Sequence, residues 1–335
     1  MVEILLQAQR SNQIFTDEWI TTVVSAISSH RDKNFGGENS TIPIYNFWNQ
    51  IKLESGNYKV WVIYLFVHSH MYQAHVPNID IPLGELGKGL VMIGKGLDAL
   101  GLHDLAKMAE KASALELSLS KTFSIPADSD DTGCNMAMGY QLYLARDNFP
   151  RAYQTWLENN HDPQGMAFLY FKKYAYRPFS DFKEANTIDP RTYFWIKDFL
   201  HEIDESEDFR SPAIAFDDEG FPDVRIITTW MQRTSEIRAG EARMPFNVNN
   251  VDASVVANAL YGITSMIYMH LEETDDLPNW FDYDMSILYA SSVRLLEWVM
   301  RSRVTFSRPD LLLLYYPPIY DLYASLDVLN KTLIF

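Results

Sequence analysis

The chain has a single cysteine, Cys134, in 335 residues. No intrachain disulfide can form, and a zinc site built on several thiolates is excluded. Basic residues are also scarce: 28 Lys and Arg face 44 Asp and Glu, a net charge of −16. No Lys/Arg cluster interrupts that acidity, so a nucleic-acid backbone is not an expected partner. Long apolar runs are missing as well. The longest, such as Val60-Trp-Val-Ile-Tyr-Leu-Phe-Val67, are too short to cross a bilayer. A soluble protein without a transmembrane segment is expected, with peripheral membrane contact left open. Met1-Val-Glu-Ile-Leu-Leu-Gln7 lacks the basic start and small-residue cleavage site of a secretory leader. Asn39-Ser-Thr41 and Asn330-Lys-Thr332 fit the glycosylation acceptor pattern. The compartment therefore stays open between cytoplasmic and secreted with a trimmed leader, and nothing in the chain fixes an oligomeric state.

What is present is mostly helical periodicity. Trp19, Val23, Ala26 and Ile27 make one apolar stripe, and Leu288, Val293, Leu296, Trp298 and Val299 another. Glycine and proline gather between such segments, as in Asp217-Asp-Glu-Gly-Phe-Pro222 and Asp275-Asp-Leu-Pro278, where they read as loops. No linker divides the composition, which predicts one mostly α-helical domain over residues 1–335.

The segments also resemble one another. Asp131 to Tyr140 aligns with Asp252 to Tyr261, with an aspartate at the helix start and a tyrosine nine positions on, each after a proline, Pro126 and Pro245. Further copies are Asp189-Pro-Arg-Thr-Tyr-Phe-Trp-Ile196 and Pro317-Pro-Ile-Tyr-Asp321. The starts near 131, 190, 252 and 321 lie 59, 62 and 69 positions apart, enough for two helices and their loops. About five or six helical hairpins would use the chain. Closed into a ring, they form an α/α toroid whose inner helices begin around a central cavity.

Three carboxylates, Asp128, Asp130 and Asp131, crowd one of those starts. Carboxylates this close are solvated, bound to a cation, or arranged so that one keeps its proton. They also suit a helix N-terminus, where Asp131 or Thr132 would cap free N–H groups. Asn135 and the apolar run after it do not supply the later ligands of an EF-hand. Asp128-x-Asp130-x-Thr132 is similar to the nucleophile motif of haloacid-dehalogenase-like phosphatases, but those need a preceding strand, and Pro126-Ala127 interrupts one. Gly89-Leu-Val-Met-Ile-Gly-Lys-Gly96 nearly spells a phosphate loop with Gly96 where Ser or Thr belongs. His68, His70 and His75 invite a metal reading, yet on a helix the first two diverge by about 200°. No metal site is expected from these residues.

Asp128-Ser-Asp-Asp-Thr132 resembles the Asp-x-Asp-Asp-Thr motif of class II terpene cyclases, the squalene-cyclase-like members of the α/α-toroid superfamily. The match covers five to eight residues, and the hairpin spacing is compatible over much of the chain. The chain has room for one helical barrel where such cyclases usually have two, and no clean copy of their Gln-x-x-x-Gly-x-Trp repeats. The resemblance implies acid-initiated cyclisation of a linear isoprenoid, with Asp130 as proton donor and Asp128 and Asp131 orienting it. Thr132, Asn249, Asp252, Tyr316, Tyr320 and Asp321 would lie toward the substrate. No cofactor is required, and Mg²⁺ enters only if the substrate carries a diphosphate. The 19 Phe, 19 Tyr and 8 Trp include Tyr193, Phe194, Trp195, Tyr315, Tyr316 and Tyr320 near helix starts, where ring faces would stabilise a carbocation. Two alternatives stay open: a glycan-processing toroid pairing Asp130 with Asp252 or Asp321, and a noncatalytic ligand-binding toroid.

Overall fold

The computed structural model describes residues 15–35, 39–47, 50–52, 58–60, 107, 125–205, 223–238, 244–316 and 318–333. Two compact units are present, one of residues 1–47, 126–240 and 244–335, the other of 48–125 and 241–243. In the second unit, β1 (Gln50–Lys52) and β2 (Tyr58–Val60) pair antiparallel, Ile51 opposite Lys59. Among the described residues this hairpin is the exception to mostly helical structure. His68, His70, His75, Gly89–Gly96 and Asp217–Gly220 lie outside the described residues.

The larger unit contains α1 (Asp17–Ser28), α2 (Ser129–Leu144), α3 (Pro150–Asn159), α4 (Met166–Tyr174), α5 (Pro190–Glu205), α6 (Ala253–Thr274), α7 (Tyr283–Arg301) and α8 (Ile319–Leu333). Single turns, among them Val304–Ser307 and Pro309–Leu312, join some of them. Four helices thus begin at 129, 190, 253 and 319, beside the four starts read from the sequence. The reason is local chemistry: Asp128 and Asp252, in extended conformation, accept the free N–H groups of the first turns of α2 and α6. Pro190 opens α5, where its missing N–H costs nothing.

The segments before these helices are tied by backbone bonds. Asp128 N donates to Tyr45 O at 3.1 Å, Ser129 N to Thr229 O at 2.8 Å, Thr229 N to Asn250 O at 2.9 Å, and Asp189 N to Asn249 O at 2.8 Å. Three helix starts are thereby held together by segments that belong to no regular sheet.

Both α2 and the first half of α6 are buried nearly all round, as expected of central helices. They pack on each other more extensively than any other pair, and α6 also meets α7 and α8. Glycine makes the approach possible. A Cβ on Gly133 would stand 2.6 Å from Ala259 Cα, and one on Gly262 would stand 2.3 Å from Gly133 O. The main core runs from Ile196 and Phe199 through Val256 and Leu260 to Leu288, Leu295 and Val299. A smaller one gathers Ile20, Val24, Leu142, Phe149 and Trp156.

The stripe expected on α1 is displaced by one residue. Ile20 and Val24 are its buried positions, whereas Trp19 is 48% exposed and stacks on Phe15 at 4.8 Å. Two aromatic rings can cover each other on the surface, so their hydrophobicity does not by itself select the buried face. In α7 the expected stripe holds, with Leu288, Leu296, Trp298 and Val299 buried.

Gly133→Ala is expected to lower stability by about 1–3 kcal/mol, because the new methyl meets backbone that cannot rotate away. A thermal melt within error of the parent would contradict this account of the crossing.

Candidate functional site

Pro126 and Ala127, outside any helix or strand, lead through an extended Asp128 into α2, and the helix start buries most of the acidic cluster. Asp128 is 5% exposed, and its Oδ1 accepts from Asp131 N at 2.7 Å. Asp130, 7% exposed, accepts from Asn258 Nδ2 of α6 at 2.6 Å and from the hydroxyl of Tyr316. Thr132 locks the arrangement: its hydroxyl donates to Asp128 O at 2.7 Å and accepts from Tyr45 N at 3.0 Å.

The three carboxyls differ in their proton affinity. Burial pushes Asp128 well above the usual carboxylate range, reinforced by the charges of Asp131 and Asp130. Burial, then the charge of Asp130, pushes Asp131 up to about 7, while a hydrogen bond with Asp128 favours its ionised form. Burial and mutual repulsion therefore favour a proton on the Asp128–Asp131 pair. Among the described residues, Oδ2 of Asp131 has no N–H or hydroxyl donor in reach, so a proton kept on the pair compensates its burial. Asp130 is also raised by burial, but Tyr316 and Asn258 oppose the shift by stabilising its charge. The Tyr316 phenol is pushed up in return, by burial and by Asp130.

Asp131, rather than Asp130, lies on the wall of a cavity of about 490 Å³. The walls are mainly apolar and come from the end of α1, the 45–47 segment, α2, α6 and α8. Tyr45, Phe47 and Tyr261 supply the aromatic surface. His30, which the sequence did not single out, also lines this cavity. Its Nδ1 lies 3.1 Å from Phe47 O and 3.3 Å from Asn46 O, a pairing that places the proton on Nδ1 and leaves Nε2 as the basic nitrogen. Cys134 opens onto the same cavity, yet the protein packed around its sulfur and the neighbouring charges of Asp130, Asp131 and Asp128 push the thiol up. Accessible but protonated, it is a poor nucleophile. Among the described residues, no group of three or more His, Cys, Asp or Glu is arranged to hold a metal ion, and no helix is long and apolar enough to cross a membrane.

The other residues expected near substrate are distributed differently. Asp252 is fully buried and committed to capping: Oδ1 accepts from Ser254 N and Oγ, and Oδ2 from Tyr315 N at 3.0 Å. Asn249 brackets a loop, donating to Trp230 O at 2.7 Å and accepting from Trp230 N at 3.1 Å. Tyr315 receives Trp230 Nε1 and Asn250 Nδ2 at 3.0 and 2.9 Å. Tyr316 joins the cluster, whereas Tyr320 is 71% exposed and Asp321 is exposed. Neither lines the cavity. On α8 it is Ala324, Ser325 and Val328, one turn or two further along, that reach it. Tyr193 and Phe194 are exposed, and Trp195 is buried.

Tyr316→Phe should cost about 1–3 kcal/mol of stability, because it removes a hydrogen bond to a buried carboxylate. Tyr320→Phe should cost nothing measurable, and equal melts for the two would contradict this placement. A second expectation concerns pH. Asp131 is raised from its unfolded value near 3.9 to about 7, so the folded state holds the proton more tightly. Its stabilising contribution is complete below about pH 4 and is lost as pH rises through about 7. Melting temperature should therefore decline less steeply between about pH 4 and 7 in Asp131→Asn than in the parent; parallel profiles would remove the buried acid. No protein-family model, curated protein or solved structure matches this chain.

Proposed function

We propose that the larger unit is an α/α toroid that carries out acid-initiated cyclisation of a linear isoprenoid, with Asp131 as the group that delivers the proton. The observation that carries this reading is the position of Asp131: a carboxyl able to keep its hydrogen near neutrality, on the wall of a mainly apolar 490 Å³ cavity. The resemblance of Asp128-Ser-Asp-Asp-Thr132 to the cyclase motif supports it, as do the helices beginning at 129, 190, 253 and 319.

In this mechanism a double bond of the substrate takes the hydrogen of Asp131, and the electron pair of the O–H bond stays on the carboxylate. Positive charge develops on the neighbouring carbon. Asp130, given two hydrogen bonds by Asn258 and Tyr316, supplies compensating negative charge close by. The Asp128–Asp131 pair is reset when it takes a proton from water and His30 gives one up to water. Ring faces of Tyr45, Phe47 and Tyr261 contribute about 0.5–2 kcal/mol each where a cation approaches them. The closing step is loss of a proton from carbon, a role this reading gives to His30 on the cavity lining. The net change is an isomerisation, since one proton is taken and one returned.

The glycan reading draws less support. Its partner acids are unsuitable, because Asp252 is used as a cap and Asp321 is exposed away from the cavity.

The test is incubation of the protein with linear isoprenoids, both hydrocarbons and alcohols, in D₂O, with extracts analysed by mass spectrometry. A cyclised product carrying one added deuterium is expected, and Asp131→Asn should reduce it by about 100-fold or more. Absence of product across the panel, or product formation undiminished in Asp131→Asn, sinks the proposal.

A further inference from the structure

The cavity that Asp131 lines limits the length of what it can hold. At about 30 Å³ for each water-sized group, its volume of about 490 Å³ has room for about 16 such groups. A chain of about 15 carbons ending in one oxygen fills that space, and one of about 30 carbons leaves half its length in water.

The walls select on charge as well. Ile27, Phe47, Met138, Tyr261, Ala324 and Val328 make them mainly apolar, and an ion placed there without a partner loses its hydration for nothing in return. Asp131 stands on the wall, and Asp128 and Asp130 lie at the same helix start, where Asn258 and Tyr316 stabilise the ionised form of Asp130. A phosphate ester carries about two negative charges near neutrality, so it meets this helix start as a like charge. Among the described residues the wall has no Lys or Arg to offset the repulsion. The contrast is local: a smaller cavity of about 280 Å³, between α5 and the end of α7, is lined by Arg303 and Arg308.

We infer that the 490 Å³ cavity takes an uncharged isoprenoid of about 15 carbons, a hydrocarbon or an alcohol, and excludes phosphate esters of the same chain. That this molecule is the substrate rests on the cyclisation reading; its size and lack of charge rest on the cavity. Shorter chains leave apolar wall uncovered, and longer ones gain nothing from carbons that stay outside, so affinity reaches a limit in chain length.

The test follows the methyl resonance of Met138, which lines the cavity, in the full chain labelled with ¹³C-methyl methionine. Met138→Leu identifies that signal by its loss. The probes are the saturated alcohols of two, three and four isoprene units and the phosphate ester of the three-unit alcohol, the last with and without Mg²⁺. Without double bonds none of them can be protonated on carbon, so binding is read apart from turnover. The three-unit alcohol should shift the Met138 resonance saturably and bind about tenfold or more tighter than the two-unit alcohol. The four-unit alcohol should bind within about threefold of the three-unit one, and the phosphate ester about tenfold or more weaker than its alcohol. A further gain of about tenfold for four units, a phosphate ester that binds as well as the alcohol in either condition, or no saturable shift would overturn the inference. The deuterium assay reads the cyclisation separately: product from a longer or phosphorylated substrate keeps that reading and ends this inference, whereas alcohol binding without product does the reverse.

Discussion

The contact between Gly133 and Gly262 sets the geometry on which the rest of the larger unit depends. Backbone meets backbone there, with no room for a Cβ on either side, so α2 and α6 approach more closely than helices bearing ordinary side chains. The consequence reaches the acidic cluster one turn away. Asn258, beside that contact, donates to Asp130, and the burial of most of α2 between Ser129 and Tyr143, Asp131 and Cys134 excepted, follows from the same approach. A wider crossing would admit water to Asp128 and Asp130 and leave three ordinary carboxylates at a helix start.

Burying acids in a chain of net charge −16 needs local compensation, and each aspartate obtains it differently. Asp252 is surrounded by donors, from Ser254, Val255 and Tyr315. Asp130 receives two side-chain donors. Asp128 and Asp131 have one backbone N–H and each other. Fewer donors mean a weaker hold on negative charge, so the proton settles on the Asp128–Asp131 pair. This ordering separates an acid from a cap at helix starts that look alike in sequence.

The two cavities divide the chemistry of the unit. One presents a carboxyl, a histidine and aromatic faces to a largely apolar space; the other presents Arg303 and Arg308 beside Phe194, Trp298 and Leu311 to a smaller one. Trp195 takes part only in the second. Its ring is packed into the core while its N–H finds no acceptor among the described residues.

The sequence by itself determined the helical character, the positions where four helices begin, and the acidic content of one of them. Those features rest on interactions within about four residues: a capping Asp, a proline at the first turn, an apolar period. The repeat spacing located α2, α5, α6 and α8 because each carries such a start. Only the tertiary structure decided which carboxyl meets the cavity, that Tyr316 serves Asp130 while Tyr320 faces solvent, and that Asp252 is a cap. Asp130 and Asn258 are 128 positions apart, and Asp130 and Tyr316 186; no local pattern encodes which of several similar side chains will meet across such a distance. The same holds for the buried face of α1 and for His30, whose surroundings are assembled from segments that are distant along the chain.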